Sequence, residues 1–262
     1  MTSSTQHSFV TCLESAWDGT RLDANQEHTL HEGRPLWVRY DLPAVARAVR
    51  REDLAARPFT MWRYREVLPL PHGREPVSLD EMVTPLLRTD RLAAELGFRD
   101  LWIKDESRLP TGSFKDRGMA VAVNMAVGFG RRRFIVPTNG NAGGALAAYA
   151  SAAGAEAFVF MPRDTPTPNV IETVQYGAHT YFVDGLISDC GRITRELAEE
   201  LDCFDMSTLK EPYRIEGKKT MGLELAEQFD WSLPDVIVYP TGGGTGLIGM
   251  WKPLASCENW AG

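Results

Sequence analysis

Lys115 lies in the stretch PTGSFKDRG, residues 110–118, where a lysine is electrostatically out of place. Pro110, Thr111 and Gly112 read as a turn, and Ser113 with Asp116 three residues on reads as a capping box opening a helix. The first helical turn presents partial positive charge, which destabilises an ammonium and lowers its pKa. The free amine so exposed can attack a carbonyl carbon, and the placement suits Schiff-base chemistry. Taken alone, a capped helix with a solvated lysine explains the same nine residues.

Two further loops carry polar chemistry. Thr138-Asn139-Gly140-Asn141-Ala142-Gly143-Gly144 follows the apolar run FIVPT and opens a helix of small residues. Its backbone N–H groups and two side-chain amides suit a carboxylate or a phenolate-type oxygen. An asparagine-rich turn with glycines for close helix–sheet packing is an equal reading. Thr241-Gly242-Gly243-Gly244-Thr245-Gly246 follows DVIVYP and precedes LIGMW. Bare amides at a helix start cradle anions, most often phosphate, and this glycine density exceeds what packing needs.

The same loop contains Gly244-x-Gly246-x-x-Gly249, the dinucleotide spacing, but it sits in the last strand–helix unit. The acidic residue expected about twenty positions on falls beyond Gly262, so a nicotinamide-dependent oxidoreductase is a remote alternative. An amine nucleophile, a loop for a ring oxygen or carboxylate, and a monophosphate cradle together match pyridoxal 5'-phosphate. That cofactor has one aldehyde, one phenolate oxygen and one phosphate.

Regular elements must hold these loops. From Leu101 onward, LWIKDE, RRFIVPT, AFVFMP, HTYFVDG, FDMS and DVIVYPT read as strands. Between them SFKDRGMAVAVNMAVGFG, NAGGALAAYASAAG, TPNVIETVQYG, SDCGRITRELAEEL and KKTMGLELAEQF read as helices, and GGGTGLIGMW opens another. In the fourth of these, Ile193, Leu197 and Leu201 fall at i, i+4 and i+8. Strand–helix alternation with short connections predicts a parallel sheet covered on both faces. Residues 1 to about 35 read as polar and irregular.

The 262 residues are 44% hydrophobic and 24% charged, enough for one or two domains with a real core. A net charge of -7 argues against nucleic acid or an acidic membrane as partner. No apolar run approaches a membrane-spanning length, and the N-terminus lacks the pattern of a secretory signal. Cys12, Cys190, Cys203 and Cys257 show no CxxC pairing, which points to a reduced, cytoplasmic protein.

PTGSFKDRG, TNGNAG and PTGGGTG resemble the motifs of the tryptophan-synthase-β-like, fold type II, pyridoxal-phosphate enzymes. MVTPLLRTDRL, LWIKDESRLPTGSFKDRG and YRIEGKKTMGLELAEQ resemble the threonine-synthase branch of that group, over about residues 35–252. The resemblance implies an α/β fold of two interleaved three-layer αβα domains. Residues 36–119 and 216–262 would form the large cofactor-binding domain and 120–215 the small one. It implies that Lys115 forms the Schiff base with the cofactor and shuttles protons at the substrate's α and β carbons. Asn141 would hydrogen-bond the ring oxygen, and Gly242, Gly243, Gly244, Thr245 and Gly246 would hold the cofactor phosphate. Thr138, Asn139, Gly140, Asn141 and Ala142 would grip the substrate carboxylate. Arg214 with Ser207 resembles the family's site for a second phosphate, on the substrate itself; a surface charge is the alternative for Arg214.

The implied reaction is conversion of O-phosphohomoserine and water to threonine and phosphate. The implied partner is therefore a small phosphorylated amino acid, with no nucleic acid or membrane. Fold relatives are often homodimers, though no interface is legible here. Two departures stand out. Residues 1–35 resemble a degenerate zinc ribbon, with Ser15 at the partner position of Cys12 and His28-x-x-His31 later, so no metal is assigned. The strands and the pyridine-nitrogen partner that should follow the glycine loop do not follow Lys252, so the large domain is expected to be incomplete at its C-terminus. Rival readings are a serine/threonine dehydratase of the same fold and a catalytically silent fragment.

Overall fold

The computed structural model of the chain describes residues 8–71 and 73–257. The N-terminal segment, expected to be irregular, folds as an antiparallel sheet of β1 (Val10–Ser15), β2 (Arg21–Leu22), β3 (Leu30–His31) and β4 (Arg34–Tyr40), in the order β2-β1-β4-β3. Its polar composition hides a period of two: Leu13 and Ser15 on β1, and Leu36 and Val38 on β4, are buried. Asp18, His31 and Glu32 have ligand-type atoms within 4.8 Å of one another at one end of this sheet; Cys12 and His28 are not part of that group.

Helix α1 (Leu42–Ala48) is capped by Asp41, whose carboxylate accepts from the Ala44 amide at 2.9 Å. Two 3-10 segments, Arg51–Ala56 and Met61–Val67, lead to β5 (Leu86–Arg88), α2 (Asp90–Leu96) and β6 (Trp102–Lys104). LWIKDE supplies only the short β6, and this strand pairs antiparallel with β5 instead of entering a parallel sheet.

The regular alternation then follows: α3 (Lys115–Gly128), β7 (Arg133–Pro137), α4 (Asn141–Ala152), β8 (Glu156–Pro162), α5 (Thr167–Gln175), β9 (His179–Val183), α6 (Ile187–Glu200) and β10 (Phe204–Asp205). These four strands form one parallel sheet in the order β10-β7-β8-β9. Phe134, Val136, Val159 and Met161 face α3 and α4, burying Met119, Val123, Leu146 and Tyr149. Ile135, Phe158 and Phe160 face the other way, onto Cys190, Ile193 and Leu197 of α6. The three layers follow from strands apolar on both faces, and each fully buried large side chain contributes roughly 1.5–3 kcal/mol.

Helices α7 (Tyr213–Gln228) and α8 (Thr245–Cys257) complete the described chain. Helix α7 starts five residues before the KKTMGLELAEQF segment. It has no single apolar stripe: Arg214, Glu216, Lys218, Lys219 and Glu224 are all buried along it. It crosses α3 so closely that a Cβ at Gly217 would collide with the Arg117 carbonyl. DVIVYPT, expected as a buried strand, has no regular secondary structure at residues 236–240 and belongs to no sheet. Val236 is 77% and Val238 93% exposed. An apolar run becomes a strand only when a neighbour supplies hydrogen-bond partners, and here none is paired with it.

Candidate active site

The lysine at the head of α3 is held from both sides. Lys115 Nζ lies 4.4 Å from the centre of the Phe114 ring. Burial first, and then the nearby Arg214 guanidinium, push its pKa down to about 8. The helix terminus anticipated from sequence is present, but the expected capping box is not. The Ser113 hydroxyl accepts from the Lys115 amide at 3.3 Å. The Asp116 carboxylate instead reaches back to Thr111, accepting from its amide at 2.7 Å and its hydroxyl at 2.5 Å. The five-residue return locks the turn because both acceptor oxygens find donors in the chain just before the helix.

Arg117, next in sequence, is a structural cation. It is fully buried and donates to Glu106 at 2.6 and 2.8 Å and to Glu224 at 2.5 and 2.8 Å. Lys104 joins Glu224 at 2.8 Å, so two cations face two carboxylates in this interior. Thr84 and Thr220 hydroxyls complete the guanidinium's partners. The network ties α3, α7 and the segment after β6 together two residues along α3 from Lys115.

Arg214 has no such carboxylate fork. Its side chain is buried, Nη1 donates to the Met206 carbonyl at 2.6 Å, and Nε has no partner. A buried guanidinium with an unpaired donor fits an anionic guest. Ser207 follows Met206 directly, so the structure brings these two sequence candidates together; the Ser207 hydroxyl donates to the Asp205 carboxylate. Glu211 caps α7, accepting from the Tyr213 and Arg214 amides at 2.6 and 3.0 Å, and burial raises its pKa to about 7.

Sequence reading missed Lys218, one helical turn beyond Arg214 and therefore on the same face of α7. The i, i+4 spacing of the two cations was the available signal. Lys218 is fully buried, its Nζ also lies 4.4 Å from the Phe114 ring centre, and it donates to the Phe114 carbonyl at 3.2 Å. Burial, then the charges of Lys115 and Arg214, hold its pKa well below the usual lysine range.

The asparagine loop closes on itself. Thr138 Oγ1 accepts from the Gly140 amide at 2.9 Å and the Gly143 amide at 3.3 Å. The Thr138 hydroxyl proton is left to donate outward, alongside the first amides of α4, Asn141 and Ala142, which have no intrahelical acceptor. Asn139, Gly140 and Asn141 lie in one turn at the C-terminal edge of the sheet, the usual ligand edge of an open α/β sheet. Asn141 is exposed there, and its Oδ1 accepts from Asn169 of α5 at 2.8 Å.

Gly242 and Gly243 are exposed and Gly244 half-buried in a loop that leads into α8 at the buried Thr245 and Gly246. Gly243 packs on Thr208, and a Cβ at Gly246 would collide with the Tyr239 hydroxyl. Tyr239 is tilted against Phe114 with ring centres 5.2 Å apart, which brings the glycine loop to the ring shared by Lys115 and Lys218. Gly249, the third glycine of the dinucleotide-like spacing, is used for packing: a Cβ there would lie 2.8 Å from Lys218 Cβ. A glycine cradle, an amine poised near neutrality and an unpaired buried guanidinium together fit a cofactor with an aldehyde and a phosphate. An apolar cleft of about 410 Å3 lined by Trp37, Tyr40, Leu54, Trp231 and Trp251 contains none of these residues.

Residues 77–261 match the family described as pyridoxal-phosphate dependent enzyme. The chain belongs to the pyridoxal-phosphate dependent enzymes. It is 34% identical over 232 residues to the threonine synthase of Methanocaldococcus jannaschii, covering 88% of this chain and 57% of that protein. It is 35% identical over 216 residues to the threonine synthase of Methanosarcina acetivorans, covering 82% and 52%. The chain thus spans about half the length of the curated relatives it matches. Among solved structures, maize serine racemase superposes with a TM-score of 0.60 at 26% identity, covering 68% of this chain and 54% of that one. Diaminopropionate ammonia lyase from Escherichia coli gives 0.62 at 23% identity, covering 70% and 55%. The fold is that of the type II members of this family, and the chain is shorter than its homologues. No helix among the described residues is long and apolar enough to cross a membrane.

Proposed function

We propose that this chain carries the cofactor and substrate sites of a threonine-synthase-like lyase, acting on O-phosphohomoserine to give threonine and phosphate. The observation that carries this reading is Arg214: a buried guanidinium with an unpaired Nε, close enough to Lys115 for its charge to lower that pKa. A second anion site beside the cofactor lysine suits a substrate that brings its own phosphate.

Pyridoxal phosphate, when bound, supplies an aldehyde and an electron-withdrawing ring that acidifies the substrate's α and β protons. Gly242, Gly243, Gly244, Thr245 and Gly246 would hold its phosphate with backbone amides, and Asn141 would donate to its ring oxygen. Lys115 would be the residue that holds the aldehyde group, and its amine would take and return the substrate protons. A pKa of about 8 keeps an appreciable free-base fraction near neutral pH, which both roles require. The Thr138 hydroxyl and the amides of Asn139, Gly140, Asn141 and Ala142 would grip the substrate carboxylate. Gly140 N–H is already given to Thr138, so the Asn141 and Ala142 amides carry most of that grip. Arg214, with Ser207, orients the substrate phosphate as leaving group. The free thiols of Cys12, Cys190 and Cys203 suit the reducing cytoplasm.

The test is Arg214→Ala with O-phosphohomoserine as ligand, read by equilibrium binding and by phosphate release. Removing one member of a buried charge pair weakens binding by about thirtyfold or more, while pyridoxal phosphate affinity stays within about twofold of the parent. Unaltered O-phosphohomoserine binding in this variant, or none in the parent chain, would remove the reading. A serine/threonine dehydratase has no use for this guanidinium and would turn over serine equally well without it.

A further inference from the structure

Asn141 offers one acceptor and one two-proton donor at opposite corners of its carboxamide, and only the donor can serve a phenolate-type oxygen. Which corner faces outward is decided by what holds the other. In the structure Oδ1 of Asn141 accepts from Nδ2 of Asn169 at 2.8 Å. Its NH2 group is thereby turned away from Asn169.

Asn169 is itself fixed. It lies in the first turn of α5, its amide donates to the Pro166 carbonyl at 3.0 Å, and its carbonyl accepts from the Thr173 hydroxyl at 2.8 Å. Its side chain lies directly over Gly140, where a Cβ would come within 2.6 Å of Asn169 Cγ. Gly140 also has φ of +134°, a conformation that L side chains rarely adopt, so the position needs glycine on two counts. Three residues on, Glu172 packs in the same way over Gly144, so one face of α5 is laid down on the asparagine loop.

We propose that Asn169 is a positioning residue that sets the orientation of the Asn141 amide, keeping its NH2 toward the cofactor ring oxygen. This rests on the reading of Asn141 given above. In this role Asn169 acts through Asn141, the side chain its Nδ2 donates to.

The test compares Asn169→Asp with Asn169→Leu, two near-isosteric changes. Asp can only accept, so it draws the Asn141 NH2 toward itself and turns the Asn141 oxygen outward. Leu leaves either orientation open. In the pyridoxal-phosphate-loaded chain, at about 1 M salt to screen the added charge, Asn169→Asp should weaken cofactor affinity about tenfold. It should also reduce the long-wavelength cofactor absorbance more than Asn169→Leu does. Asn169→Gln, which restores a donor, should recover most of that absorbance. An Asp variant equal to or better than the Leu variant overturns the proposal, since a purely packing role predicts that order.

The cofactor-free protein gives a second readout. The side-chain amide 15N signals of Asn141, identified by their loss in Asn141→Ala, should shift in Asn169→Asp; signals that stay in place overturn the proposal. An Asn141→Ala variant with unchanged cofactor absorbance would instead refute the role of Asn141, with the amide spectrum still deciding the orientation.

Discussion

Lys115 and Lys218 share the ring of Phe114, and both are depressed below the ordinary lysine range by burial and by neighbouring positive charge. Arg214 contributes to that repulsion, so Arg214→Met should raise the Lys115 pKa, and acylation of Lys115 would then require higher pH. An acylation profile identical to the parent's would mean that burial alone sets the value. The same shift has a consequence for stability. Folded Lys115 gives up its proton near pH 8, whereas in the unfolded chain it keeps it to about 10.4. Between those values the unfolded state binds more protons, so this group's contribution makes the fold more stable as pH rises. Lys219, pushed down to about 8 by burial, acts in the same sense. Denaturant midpoints at about pH 7.5 and about pH 9.5 should therefore differ less in Lys115→Met than in the parent. An equal difference would count against the buried amine.

At the scale of elements, the site depends on how α3 and α7 meet. Glu224 and Arg117 are both fully buried, and Glu224→Gln leaves the guanidinium short of one carboxylate. Breaking such a pair should destabilise the fold by about 3–5 kcal/mol, seen as a lower denaturant midpoint with unchanged slope. A loss below about 1 kcal/mol would place the pair among weak, solvated bridges. The loops of the site and the alternation from α3 to β10 were legible because each is a local pattern: glycines and amides at a helix start, or short apolar runs between turns. Helix α7 was read late because its buried face carries Arg214, Glu216, Lys218 and Glu224, which periodicity counts as exterior. Asn169 was invisible because its partner lies 28 residues away and only the fold joins them. DVIVYPT was read as a strand from composition, yet strand formation requires partners that composition does not supply.

Across the whole molecule, Val236 and Val238, on a segment that joins no sheet, and Leu87 and Ile103 of the two-stranded β5–β6 ribbon leave apolar side chains exposed. Apolar edges of this kind pair with other chains. Val238→Lys should lower self-association in sedimentation velocity without changing the circular dichroism spectrum; a parent chain that stays monomeric at high concentration would show these surfaces to be innocuous. The cofactor site itself is proposed to be made of Lys115, the asparagine loop and the glycine loop. Its most direct measurement is borohydride reduction of the chain mixed with pyridoxal phosphate, followed by peptide mass analysis. The phosphopyridoxyl group should be found on Lys115, and labelling should vanish in Lys115→Ala. Labelling spread over surface lysines, or unchanged in that variant, would contradict the account.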